Sequence, residues 1–316
     1  MTFFLFSLAL GLIAQDPTDA RQSSWTHSQS VLDRGVGYSA IRWNDEGETP
    51  RALIIFLGGT EGGFWTGPLF WQFVNEGYST VSIAYHGIEG TPDQLVERPL
   101  EPVFDTLSQM IAANHQQGDG CAILIGTSKG AELALLLAAY ETELNHADRK
   151  FVDGVIALAP SHVVWQAPHL RLDRRSSWSL AGEDMAFAPY PWLSSGIAAA
   201  FSDIRMTRRL LLDGLRNEAA ENNARIPAER INVPTALYSS PGDPVWPADI
   251  MAERMIARLE ETSAHHALVH RSLTLSGAEN AHFIASDPTA RNLIINDARN
   301  MIEQAIAEER CEAGLP

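Results

Sequence analysis

The chain has 316 residues, enough for one large α/β domain with an insertion and a sizeable core. Its 39 acidic against 23 basic residues leave a formal net charge of −16, a field that repels nucleic acid and anionic membrane surfaces and excludes both as expected partners. The two cysteines, Cys121 and Cys311, fall in a predicted buried strand and in the C-terminal tail, a placement that supports neither a disulfide framework nor a Cys-rich metal site and leaves the redox compartment open.

The first residues carry an apolar run over residues 2–14, shorter than the roughly 20 residues of a spanning helix, so no membrane span is expected. With small residues at Ala14, Thr18 and Ala20, residues 1–20 read as a signal peptide for export (periplasmic or secreted), or, since no Lys or Arg precedes Arg21, as an apolar N-terminal segment of a cytoplasmic protein. A polar stretch, 15–33, follows. Apolar, β-branched runs then predict strands over 37–43, 52–58, 79–85, 122–126, 154–160, 235–240 and 272–277. Between them lie helical patterns at 68–76, 100–115, 129–142, 249–262 and 288–309. Near-continuous apolar strands alternating with amphipathic helices predict an α/β class with a mainly parallel sheet covered on both faces, over residues 34–310. From 162 to about 230 the alternation stops: no clear strand, three tryptophans (Trp165, Trp178, Trp192), several prolines and arginines, and a helical run near 203–222. A stretch of that length inside a compact domain reads as a cap over the sheet.

Chemistry enters at "LIGTSKGAEL". Gly126-Thr127-Ser128-Lys129-Gly130 follows a strand and opens a helix, and that context gives weight to a Gly-x-Ser-x-Gly pattern that is weak alone. A serine on so sharp a turn needs glycine two residues before and after it. The same turn aims the Lys129 amide, at the positive end of the helix, to where an oxyanion would form. The rival reading is an ordinary strand-to-helix turn. A serine hydroxyl also needs a base and an orienting carboxylate, in the chain order nucleophile, acid, base. "YSSPGDPVWP" sets Asp243 just beyond a late strand, and "SLTLSGAENAHF" sets His282 just beyond the last one. Asp243 has a rival reading as a turn carboxylate, and Asp249 reads as a helix N-terminal acid. His265, His266 and His270 precede the last predicted strand and read as surface residues.

The glycine-rich "LGGTEGGF" after an early strand supplies a second oxyanion donor, the amide of Thr60 or Glu61. It is no phosphate cradle, because no Gly-Lys-Ser/Thr follows. No His-Glu-x-x-His is present and His265 and His266 are adjacent, so neither a metal nor a cofactor is expected. Arg171, Arg174 and Arg175, with Arg205, Arg208 and Arg209, read as a solvated face balancing local acids rather than an anion site.

An ordered set of segments is more specific than the serine motif: "LGGTEGG", "AYHGIEGTPDQLVERPLE", "GTSKGAELALLLA", "SHVVWQ", "SSWSLAGEDMAFAPY", "IPAERINVPTALYSSPGDPVWP" and "AHF". From about Ala52 to His282 the chain resembles the C-terminal α/β-hydrolase domain of the acyl-CoA thioesterase and bile-acid-CoA:amino-acid N-acyltransferase family. The resemblance implies Ser128 as nucleophile, Asp243 as acid and His282 as base, the trio reached from spacing. Longer members carry an N-terminal β-sandwich, for which the roughly 50 residues before the oxyanion loop leave no room, and the usual Gly-x-Gly-His approach is here "GAENAH". Acyltransferase members tend to use cysteine, so serine points to hydrolysis. The expected function is therefore a serine hydrolase cleaving a small-molecule acyl thioester. The alternatives are a carboxylic ester hydrolase outside the cytoplasm, an acyltransferase to an amine, and a non-catalytic binding module of hydrolase fold.

Overall fold

The computed structural model describes residues 24–32, 36–44, 52–114, 120–146, 148–168, 174–190, 205–261, 268–274 and 281–312. β1 (Ser24–Leu32) and β2 (Val36–Asn44) form an antiparallel hairpin, and β2 pairs antiparallel with β4 (Ser79–Ala84). From there the sheet is parallel, running through β4, β3 (Leu53–Leu57), β6 (Ala122–Thr127), β7 (Gly154–Leu158), β10 (Thr235–Ser239) and β11 (Leu268–Ser272). Six parallel neighbours put the C-terminal ends of their strands along one edge, where the connecting loops of an open α/β sheet gather.

The strands alternate between two cores, one per face. Leu53, Ile55 and Leu57 point to the core that holds α2 (Leu100–Asn114), α3 (Lys129–Ala139) and α7 (Ala248–Glu261). Ile54 and Phe56 point to the other, with α1 (Pro68–Asn75) and α8 (Pro288–Ala307). Period-two alternation within an unbroken apolar run is what a sheet buried on both faces requires. Phe56 makes edge contacts with Trp65, Phe70 and Phe73 at 5.2, 5.2 and 5.9 Å between ring centroids. Each such buried ring contributes about 1.5–3 kcal/mol by burial. At the start of α8 the Asp287 side chain accepts the Ala290 amide at 2.8 Å, and Pro288 occupies the first turn, where a missing N–H costs nothing.

Several expectations change. The polar stretch before residue 34 contains β1, whose polar residues carried no apolar signal. Among the described residues the last strand is Leu268–Ser272 rather than 272–277: it is an edge strand, none of its residues is fully buried, and its sequence LVHRS mixes apolar and polar residues. Residues 275–277 of that expectation lie outside the described residues. His270 consequently sits within the strand, half-buried, its Nε2 2.8 Å from Ser239 Oγ, not on the surface before it.

The interval 162–230 is not free of strands. β8 (Trp178–Leu180) pairs parallel with β5 (Arg98–Pro99) and antiparallel with β9 (Glu183–Asp184), too short to show a period in the sequence. Its helical run divides into α5 (Arg205–Gly214) and α6 (Glu218–Asn223), and a short α4 (Glu141–Leu144) follows α3. Among the described residues no helix is long and apolar enough to cross a membrane; residues 2–14 lie outside them.

The cysteines also correct the sequence reading, because Cys121 and Cys311 form a disulfide across 190 residues of chain. Nothing in their spacing announces it: α8 carries the tail back beneath β6, where Gly120 bridges to Glu312. Closing so long a loop constrains the unfolded chain strongly. Reduction, or Cys311→Ser, should lower the unfolding free energy by about 2–4 kcal/mol in equilibrium denaturation. An unchanged midpoint under reducing and oxidising conditions would show that the bond does not form.

Candidate active site

Ser128 sits between β6 and α3 with φ 53° and ψ −118°, a left-handed conformation that an L residue holds only when its surroundings impose it. The surroundings are backbone. A Cβ on Gly126 would stand 2.2 Å from the Gly130 carbonyl oxygen, and one on Gly130 would stand 2.2 Å from Leu57 O and 2.3 Å from Gly58 O. Only hydrogen fits at either position. The Ser128 amide donates to Leu158 O at 2.9 Å, tying the turn to β7, and the residue is 4% exposed.

The loop after β3 lies against this turn, since a Cβ on Gly59 would be 3.3 Å from Ser128 Cβ. Its donors are divided in an orderly way. The Gly59 amide bonds Glu61 Oε1 at 3.0 Å, the Gly62 amide bonds Gly59 O at 3.3 Å, and the Gly63 amide bonds His86 O at 2.8 Å. Among the described residues the amides of Thr60 and Glu61 have no acceptor, and neither has that of Lys129 in the first turn of α3. Two unpaired segments of amide therefore flank one serine.

Asp243 follows β10 and is fully buried. Its Oδ1 accepts the amides of Val245 at 2.8 Å and Trp246 at 3.0 Å, so the turn-carboxylate reading holds for that oxygen. The turn is braced from outside. Arg208 donates to Asp243 O at 3.1 Å and forms a two-pronged pair with Asp249 at 2.9 and 2.8 Å. Trp246 Nε1 reaches Pro160 O at 3.1 Å. Arg208 is thus a structural clamp, not part of a solvated face; its only sequence signal was proximity to other arginines. Arg175 is paired with Glu97 and Asp184, and Arg171 lies outside the described residues. His282 falls in a short helix, Ala281–Ser286, after β11, and its side chain lies outside the described residues. In the sheet, β7 separates the strands preceding Ser128 and Asp243, and β11 adjoins β10, so all three residues follow strands at the same edge.

Under the turn lies a charged pair that the sequence reading missed. Lys129 Nζ donates to both oxygens of Glu132, at 2.8 and 2.9 Å, with side chains 2% and 0% exposed. Burial pushes the lysine pKa down and the glutamate pKa up, and their mutual attraction opposes both shifts. Glu132 Oε1 also accepts from Trp178 Nε1 at 2.7 Å and Trp165 N at 3.1 Å. The i, i+3 spacing of Lys129 and Glu132 was a visible cue, but it marks surface pairs far more often than buried ones.

A family model described as the C terminal of BAAT and acyl-CoA thioester hydrolases matches residues 107–273, more than half of the chain. The chain belongs to that family. Sequence comparison with curated proteins returned no match. Among solved structures, esterase B from Lactobacillus rhamnosis is 14% identical, covering 87% of this chain and 84% of its own, with a TM-score of 0.53. A Rhizomucor miehei esterase is 12% identical over 91% and 85%, also at 0.53. An acylaminoacyl peptidase in complex with a chloromethyl ketone is 15% identical over 90% of this chain and 41% of its own, at 0.53. At such identities the likeness is one of fold, and the fold is the α/β-hydrolase fold expected from the sequence. As a member of the BAAT and acyl-CoA thioester hydrolase family the protein is a hydrolase acting on ester or thioester bonds.

His86 supports the loop from below. It is buried, its Nε2 stands 3.3 Å from Gly59 O, and its ring fills the space a Cβ on Gly62 would need. Burial holds its pKa below 6.5. The folded state thus resists protonation that the unfolded state accepts, so the His86 contribution is whole above pH 6.5 and is lost as pH falls below it. Wild type should therefore lose more thermal stability than His86→Gln between about pH 7.5 and pH 5.5. Parallel profiles of melting midpoint against pH would refute that role.

Proposed function

We propose that the protein is a serine-dependent acyl hydrolase in which Ser128 is the nucleophile, His282 the general base and Asp243 the carboxylate that orients it. The observation that carries this reading is the pairing of a strained, glycine-bounded serine with free amides on both sides, at Lys129 and at Thr60 and Glu61. A serine hydroxyl is activated by a neighbouring imidazole, and developing negative charge is best held by backbone donors already in position.

In the first step Ser128 Oγ attacks the acyl carbonyl while His282 takes its proton, and the oxyanion rests on the Lys129 amide and that of Thr60 or Glu61. The tetrahedral adduct collapses, the leaving thiolate or alkoxide receives the proton from His282, and an acyl-enzyme remains. Water, deprotonated by His282, attacks that ester; Ser128 regains the proton and the carboxylate departs. The interval 162–230 would act as the cap that shapes the acyl pocket.

Family membership favours a thioester as substrate. The Cys121–Cys311 disulfide favours a second reading. Structural disulfides persist in oxidising compartments, where CoA thioesters are not expected, and the apolar run at residues 2–14 agrees with export. On that reading the bond cleaved is a carboxylic ester, with the same residues in the same roles.

Both readings require a fluorophosphonate probe to label the wild type and to leave Ser128→Ala unlabelled, with turnover falling by about 10⁴-fold or more; labelling that survives the substitution would exclude Ser128 as nucleophile. Replacing Asp243 by Asn should cost about 10³–10⁴ in kcat. A panel of acyl-CoAs set against p-nitrophenyl esters separates the leaving groups, and hydrolysis of the esters alone would decide for the exported esterase.

A further inference from the structure

The buried charges beneath Ser128 connect to the opposite side of the site through one side chain, Trp178. Its indole N–H is held by Glu132 at 2.7 Å, and Lys129 Nζ lies 5.9 Å from its ring centroid. On its other side the ring packs on Tyr85, 5.5 Å between centroids. Tyr85 is buried, and its hydroxyl donates to Gly58 O at 2.6 Å. That carbonyl is also one of those against which Gly130 is pressed. The circuit is closed. It runs from the Lys129 segment through Glu132, Trp178 and Tyr85 to the Gly58 segment, which leads directly to Thr60 and Glu61, and returns across the Gly130 contact.

Trp178 is not on either segment. It lies on β8, inside the interval 162–230, and the Arg98 amide holds the neighbouring Ser177 carbonyl at 2.8 Å while Arg98 Nε donates to Tyr85 O at 3.2 Å. Trp165, at the start of the same interval, gives its amide to Glu132 at 3.1 Å and its carbonyl to Lys129 Nζ at 3.4 Å. An apolar plug would fill this space as well, and a buried ion pair is a poor choice for stability alone. What the charges and the indole add is direction: every donor and acceptor in the circuit fixes an angle as well as a distance.

We propose that Trp178, Tyr85 and Glu132 are positioning residues that set the separation of the two amide segments flanking Ser128, so that the inserted interval governs stabilisation of the transition state. The proposal rests on the catalytic reading given above, in which those amides receive the oxyanion. Tightening of that kind is felt in the tetrahedral state and hardly at all in the ground state.

Two substitutions test it while keeping the aromatic packing: Trp178→Phe removes the N–H to Glu132, and Tyr85→Phe removes the O–H to Gly58. With active sites counted by fluorophosphonate labelling, each should lower kcat on a p-nitrophenyl ester or acyl-CoA by about 10- to 100-fold with KM changed less than about threefold. Affinity for an alkylboronic acid, which forms a tetrahedral adduct on serine, should fall in parallel, and it reads the geometry even where turnover is slow. A purely structural role would shift the melting midpoint and leave kcat per labelled site and boronate affinity untouched, and that result in both variants would overturn the proposal. Loss of the catalytic reading looks different: wild type would then bind neither probe, or Ser128→Ala would still be labelled.

Discussion

The contact of Gly130 with the carbonyl oxygens of Leu57 and Gly58 is the constraint on which the site depends. At 2.2 and 2.3 Å from where a Cβ would stand, it brings the start of α3 and the loop after β3 closer than any side chain permits. Two features accompany this one approach. The chain between β6 and α3 turns tightly, with Ser128 at φ 53°, and the head of α3 lies against the loop that leads to Thr60 and Glu61. The strain at Ser128 is held by what surrounds it: the Leu158 carbonyl grips its amide, and unbroken apolar strands lie beneath on both faces.

Beneath this close approach of two backbone segments lies the Lys129–Glu132 pair, at the cost of removing two charges from water. Four hydrogen bonds converge on the Glu132 carboxylate, two from Lys129 and one each from Trp165 and Trp178. That degree of satisfaction is what distinguishes a buried ion pair that orders its surroundings from one that merely burdens them. Both tryptophans belong to the interval that breaks the α/β alternation, so part of that interval is bonded to the first turn of α3 beneath Ser128.

How much of this was legible follows from the range of the interactions involved. The strands of the parallel sheet interior and the glycine-bounded serine are local patterns, and Leu53–Leu57, Ala122–Thr127 and Gly154–Leu158 stand where their apolar runs predicted. Chain order is what singled out Asp243 and His282 from many acids and ten histidines, and their part in the site stays a proposal. What escaped was exposed or non-local. β1 and β11 lie at the sheet edges, where half the residues need not be apolar. The Cys121–Cys311 bond joins residues 190 apart, and Arg208 reaches Asp249 and the Asp243 carbonyl across folded chain. Glu132 was visible within "SKGAEL", but its partners Trp165 and Trp178 lie on another segment, and only the fold reveals that the motif extends through them.

The disulfide and the family point to different leaving groups, and the fold offers a way to hold both facts together. Cys121 immediately precedes β6, the strand that carries Ser128, and Cys311 follows α8, so the bond pins the C-terminal tail to the base of the nucleophile strand, at the end opposite the serine. Asp153 beside it accepts the Ala122 amide at 2.9 Å and is flanked by Lys150 and Arg310. The Ser128 end of β6 carries the glycine-bounded turn; the remote end carries a covalent staple of a kind that persists in oxidising compartments. The turn at Ser128 is held by Gly126, Gly130 and the Leu158 carbonyl, at the other end of the strand from the staple. The two features therefore occupy opposite ends of one strand, and a disulfide at one end leaves the chemistry proposed for the other end open to either leaving group.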